Sequence, residues 1–233
     1  RNIAKFGLAI FALFFLYRHG ESVLAQFRRV ATHWIGGQTE DALRCLQRYE
    51  ALAHETGAHA MDHQIAFQSA YVHGVRGDLV AMDLQLRSLE ARLPALGRID
   101  RAQYDFLAGW RAALAGRLPE AVNLLERSVD NARRHRFAFF ESIGRGLLAE
   151  LLAMAGDFAE ARMQANLAIE VGRRLNSVTA LVASHMQRAV VAELGAEDEP
   201  TMRVLLQEAM GHARRHGHWA WGGLMPENLS RLA

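Results

Sequence analysis

The chain has 233 residues, 51% of them hydrophobic, which is ample for a continuous core. Its formal charge is only +2, from 27 basic against 25 acidic residues, too even a balance to argue for nucleic-acid binding. The single cysteine, Cys45, excludes an internal disulfide framework and fits a reducing compartment, most simply the cytoplasm.

Four prolines, abundant Ala, Leu and Arg, and few runs of Val, Ile and Thr predict helix throughout, because straight-chain residues lose little rotamer freedom in a helix. Taken in chain order, the first predicted helix covers 2–18. Its uncharged stretch, residues 6–17, is twelve residues long. A membrane span needs roughly 18 to 20, so a buried helix is expected here, with an anchor or signal remnant as the alternative. Helix pairs follow at 21–35 with 38–56, 58–75 with 78–93, 98–115 with 118–136, 138–155 with 157–175, and 177–194 with 198–216. A last helix begins near Pro226. The chain opens on Arg1 and stops at Ala233 within a helical pattern, which reads as a piece of something larger.

The turns between paired helices carry the main signal. They fall at Gly36-Gly37-Gln38, Arg76-Gly77-Asp78, Ala115-Gly116-Arg117, Ala155-Gly156-Asp157 and Leu194-Gly195-Ala196, and Gly37, Gly77, Gly116, Gly156 and Gly195 are separated by 40, 39, 40 and 39 residues. Such even spacing, with an apolar helix before and an amphipathic helix after, marks an internal repeat. Ala42, Ala121 and Ala161 each stand five residues after a turn glycine, where a small residue lets two helices approach; Met82 and Pro200 replace Ala in the other two repeats. Asp157 with Glu160 has capping-box spacing, Asp78 can cap its own helix, and Pro119 suits a first helical position. Second helices end in basic pairs, Arg133-Arg134, Arg173-Arg174 and Arg214-Arg215, which face the negative end of the helix dipole. No linker rich in Pro, Gly or Ser interrupts the series, so residues 1–233 are expected to form a single array in which each pair must stack on its neighbours.

The glycine turn with Ala five residues on, and Gly109 seven residues before Gly116, resemble the tetratricopeptide (TPR) repeat, over nearly the whole chain but with a longer and degenerate unit. The resemblance implies an all-α, right-handed superhelical solenoid of antiparallel helix pairs repeating about every 40 residues. Longer units of this kind, and the close of the array from Leu205-Leu206-Gln207-Glu208-Ala209 through Trp219-Ala220-Trp221 to Pro226 and Leu232, are similar to the sensor arrays of large ATP-dependent bacterial transcription activators, the maltose-activator (LuxR/STAND) type. That likeness implies a cytoplasmic effector- or partner-sensing segment, with ATP hydrolysis and DNA binding left to other domains. A stand-alone TPR scaffold, membrane-linked through the first helix, is the alternative.

No phosphate-binding loop, dinucleotide fingerprint or nucleophile elbow occurs, so neither an enzyme nor a cofactor is expected. His59 and His63, and the group His212, His216 and His218, lack a fixed further ligand or are flanked by arginines, so no metal is expected. In TPR arrays the concave positions lie about 13, 10 and 6 residues before the turn glycine. Counting back gives Gln64, Phe67 and Tyr71 from Gly77, Gln103, Phe106 and Trp110 from Gly116, Glu150 from Gly156, and His185 from Gly195. These form the candidate site for a protein or peptide, or for a small-molecule inducer. Packing of the aromatic members between pairs is the competing reading. Trp219 and Trp221 are read as a cover for the end of the array or as an interface, which leaves homo-oligomerisation open. No direct nucleic-acid contact is expected.

Overall fold

The computed structural model describes residues 38–216, except residues 58, 60 and 61. The predicted helices at 2–18 and 21–35, the turn glycines Gly36 and Gly37, the helix near Pro226, and Trp219 and Trp221 lie outside the described residues.

The described residues fold as an all-α solenoid without strands. Its helices are α1 (Thr39–Thr56), α2 (Asp62–Val75), α3 (Leu79–Arg92), α4 (Arg98–Leu114), α5 (Leu118–Arg134), α6 (Ala138–Met154), α7 (Phe158–Leu175), α8 (Val178–Leu194) and α9 (Glu199–His216). α3 is shorter than its counterparts α5 and α7. Pro94 has no amide for a helix bond, and the chain passes into a 3-10 turn at Leu93–Ala95.

The helices start and stop where the sequence places the signals. Asp78 Oδ1 accepts from Ala81 N at 3.0 Å and Asp157 Oδ1 from Glu160 N at 3.2 Å. The Glu160 side chain does not close the capping box; its Oε1 accepts from Gln164 instead. Pro119 is the second residue of α5, still within the first turn, where an amide would have no partner. Gly77, Gly116 and Gly156 adopt φ of 72°, 74° and 89°, left-handed values that glycine reaches without a Cβ clash.

The fourth turn corrects the sequence register. Gly195 has φ −82°, and the left-handed residue is Ala196 at φ 51°. Ala196 N bonds to Glu193 O and Glu197 N to Ala192 O, reproducing the bonds of Gly116 N to Ala113 O and Arg117 N to Ala112 O. The repeat is therefore counted from Ala196, and the fifth residue after it is Thr201, not Pro200. Seven residues before the turn stand Ala70, Gly109, Ala149 and Ala189, all buried.

Small residues at these places set the distance between paired helices. A Cβ on Gly109 would lie 2.9 Å from Leu125 Cγ and 3.3 Å from Ala121 O. Ala42, Met82, Ala121 and Ala161 are all fully buried. The bulk of Met82 is accommodated by Gly74, whose absent Cβ would meet the Trp110 ring at 2.7 Å and Met82 Sδ at 3.1 Å.

The first helices of the pairs, α2, α4, α6 and α8, pack one on the next and form a continuous layer. The second helices pack on the first and have no sustained packing with one another among the described residues. A two-layer array with one layer drawn together and the other spread bends toward the tighter layer, which makes α2, α4, α6 and α8 the inner face. The closest approach is α6 on α8, where Ser142 Oγ and Ser184 Oγ lie 3.2 Å apart and Gln187 lies across Gly146.

Candidate functional site

Where α2, α4 and α6 meet, the inner layer opens into a slot of about 70 Å³. α2 contributes Phe67, Gln68 and Tyr71, α4 contributes Gln103 and Phe106, and α6 contributes Phe139, Phe140 and Ile143. Phe140 is the hub. It meets Phe67 at 5.5 Å and Phe106 at 5.7 Å edge-to-face, and Phe137 and Phe139 at 4.8 and 5.6 Å. Edge-to-face pairs add about 0.5–1.5 kcal/mol each beyond area burial, so these walls are stiff.

Two glutamines at equivalent places in successive repeats are paired here: Gln64 Nε2 donates to Gln103 Oε1 at 3.2 Å. Gln103 is only 7% exposed, lines the slot, and has no acceptor for its Nε2 among the described residues. The slot thus offers an apolar wall and an amide donor. It contains no carboxylate, imidazole or thiol, and burial pushes the Tyr71 phenol well above its ordinary pKa. Such a lining can hold an uncharged group and position a carbonyl but supplies no acid–base pair.

The structure brings together four of the residues singled out in the sequence, Phe67, Tyr71, Gln103 and Phe106, and links Gln64 to them through Gln103. All four are also buried, so they serve both slot and core. Trp110 lies behind the slot, tilted against Tyr71 at 5.3 Å. Glu150 sits apart on α6, 5% exposed, with no hydrogen bond or ion pair to a described residue, and burial raises its carboxyl pKa to about 7. His185 is fully buried on α8 and faces α9, with Nδ1 3.0 Å from Glu208 Oε2. Counted from Ala196, the residue equivalent to Phe67 and Phe106 is Met186.

Gln68, Phe139, Phe140 and Ile143 were not singled out by the sequence. Ile143 stands thirteen residues before Gly156, the place held by Gln64 and Gln103, and the aromatic run Phe137, Phe139 and Phe140 was a visible signal. The concave-position count passes over residues at the very start of a first helix.

Ion pairs join the first helices to their neighbours along the array. Arg111 holds Asp83 through two bonds of 2.8 Å, Arg127 holds Asp105 at 2.9 Å, and Arg188 holds Glu197 at 2.7 Å. A second cavity of about 270 Å³ opens between α5, α6 and α7. On its floor Arg145 is already bonded to Glu141 and Gln164. Among the described residues no group of three or more His, Cys, Asp or Glu is placed to hold a metal ion, and no helix is long and apolar enough to cross a membrane.

No protein-family profile and no curated protein matches the chain. Solved structures do. A putative kinesin light chain with nearly identical TPR-like repeats from Podosopora anserina aligns with a TM-score of 0.53 at 16% identity, over 84% of this chain and 97% of that one. A point variant of the same protein aligns with a TM-score of 0.54 at 15% identity, over 86% and 99%. The fold is that of TPR-like repeats. In these TPR-like terms, α2, α4, α6 and α8 are the first helices of successive units, and the aromatic slot spans three of them.

Proposed function

We propose that this TPR-like array is a non-catalytic interaction scaffold, and that the slot between α2, α4 and α6 anchors a short segment of a partner protein. The observation that carries this reading is the slot's lining: five aromatic rings, no charged group, and a Gln103 amide donor lacking an acceptor among the described residues. An uncharged aliphatic side chain suits the cavity volume, and a main-chain carbonyl beside it suits the Gln103 donor. Stiff aromatic walls lose little entropy on binding, which favours a small anchor of this kind.

At finer resolution, we read the array as one unit over residues 1–233 serving as the sensing segment of a cytoplasmic bacterial transcription regulator of the maltose-activator type. Support for this is the sequence likeness of residues 205–233, most of which lie outside the described residues. Coding sequence for a nucleotide-binding domain on one side and a helix-turn-helix domain on the other would bear it out; a lone membrane anchor would favour the scaffold.

The test of the main reading is a peptide array, with hits measured by fluorescence anisotropy against the wild-type chain, Phe139→Ala and Gln103→Leu. Phe139 is only partly buried, so its removal leaves the fold in place, which circular dichroism checks. Loss of one anchoring ring is expected to weaken binding about tenfold or more. Hits that bind both variants as tightly as the wild type refute the slot. Stabilisation by a small metabolite, with no peptide hit, refutes the partner-segment reading in favour of an inducer.

A further inference from the structure

We propose that α9 is fastened to α8 by a proton-sensitive latch, His185 set against Glu208 and His212, and that mild acid undocks α9 while the remaining helices stay folded. The His185 side chain is 2% exposed, and its Nδ1 lies 3.0 Å from Glu208 Oε2 without forming an aligned hydrogen bond. Its ring stacks on that of His212 with centroids 5.9 Å apart and planes 23° apart. Arg173 of α7 approaches the same Glu208 carboxylate at 3.8 Å. Two imidazoles in one stack, with Arg173 at the carboxylate and Arg215 Nη2 3.5 Å from His212 Nδ1, have one carboxylate between them to balance any added proton.

The charges acting on His185 give the direction. Burial lowers its pKa most; Glu208 opposes this, and Arg173 and His212 add to the lowering. A histidine lowered in the folded state contributes stability that is full above its unfolded value of about 6.5 and is lost as pH falls through the folded value. The loss falls on one contact. α9 meets α8 through Leu206, Ala209 and Ala213 against Val182, Met186, Ala189 and Val190. Leu205 packs at the edge of the same cluster, and two of these four α9 residues are alanines, which bury little area. This inference does not depend on the slot.

Hydrogen exchange of the full chain, followed by mass spectrometry at about pH 7.5 and about pH 5 and corrected for intrinsic rates, tests it. Protection in α9 is expected to fall about tenfold or more relative to α5 on acidification. His185→Gln keeps a polar side chain of similar size and should abolish that relative change. His212→Gln, at the more exposed ring, should reduce it and decides the matter should His185→Gln fail to fold. Equal changes in α9 and α5, or an unaltered pH response in both variants, overturn the latch.

Discussion

Glu150→Gln separates a buried acid from its charge with almost no change in shape. The Glu150 carboxyl is 5% exposed, unpaired among the described residues, and raised by burial from 4.5 to about 7. A folded-state pKa above the unfolded one means that the native protein holds the proton more tightly. Its stability is therefore complete below about 4.5, declines as pH rises toward 7, and stays lowered above that. A shift from 4.5 to about 7, at about 1.4 kcal/mol per unit, gives a penalty of about 3 kcal/mol in the ionised state. The variant carries no such penalty. Urea unfolding at about pH 4 and about pH 8 should find the two proteins nearly equal at the lower pH, and the variant more stable by about 3 kcal/mol at the higher, with unchanged m. An offset that is the same at both pH values would refute the reasoning, because a constant difference reports packing rather than ionisation.

Three further changes probe the repeat itself. Gly109→Ala would place a Cβ 2.9 Å from Leu125 Cγ, and should destabilise by about 1–3 kcal/mol in urea. Ala196→Gly removes a Cβ from a residue at φ 51° and should raise stability by about 1 kcal/mol, whereas Gly116→Ala at φ 74° should lower it by a similar amount. Opposite signs at these two turns check the corrected register. Ser128→Ala deletes a buried hydroxyl that donates to Ala102 O at 2.7 Å and should cost about 1 kcal/mol by thermal or urea unfolding.

The periodic features were legible in the sequence because they follow from local chemistry. Gly77, Gly116 and Gly156 mark left-handed turns that other residues enter at a cost, and Asp78 and Asp157 mark caps, so helix bounds came within a few residues of those observed. Ala196 escaped notice because its strained turn is imposed by the hairpin's hydrogen bonds, whereas the neighbouring Gly195 only imitates the marker. The site was legible in part. A count back from each turn reaches Phe67 and Tyr71 on α2 and Gln103 and Phe106 on α4, since the repeat brings equivalent positions into register. It did not separate slot from core, because Trp110 occupies an equivalent position to Tyr71 yet packs behind it against Gly74. Phe139 and Phe140 were missed because they reach the slot from a third helix, α6, whose approach depends on tertiary packing.

Photo-crosslinking is the most direct check on where partners bind. A benzophenone side chain is placed either at Gln68, which lines the slot, or at Leu84, which is 58% exposed on α3 of the outer layer. With the tightest peptide from the array bound at saturation, crosslinks should form from position 68 and be absent from position 84. Crosslinking from 84 with none from 68 would contradict recognition on the inner face.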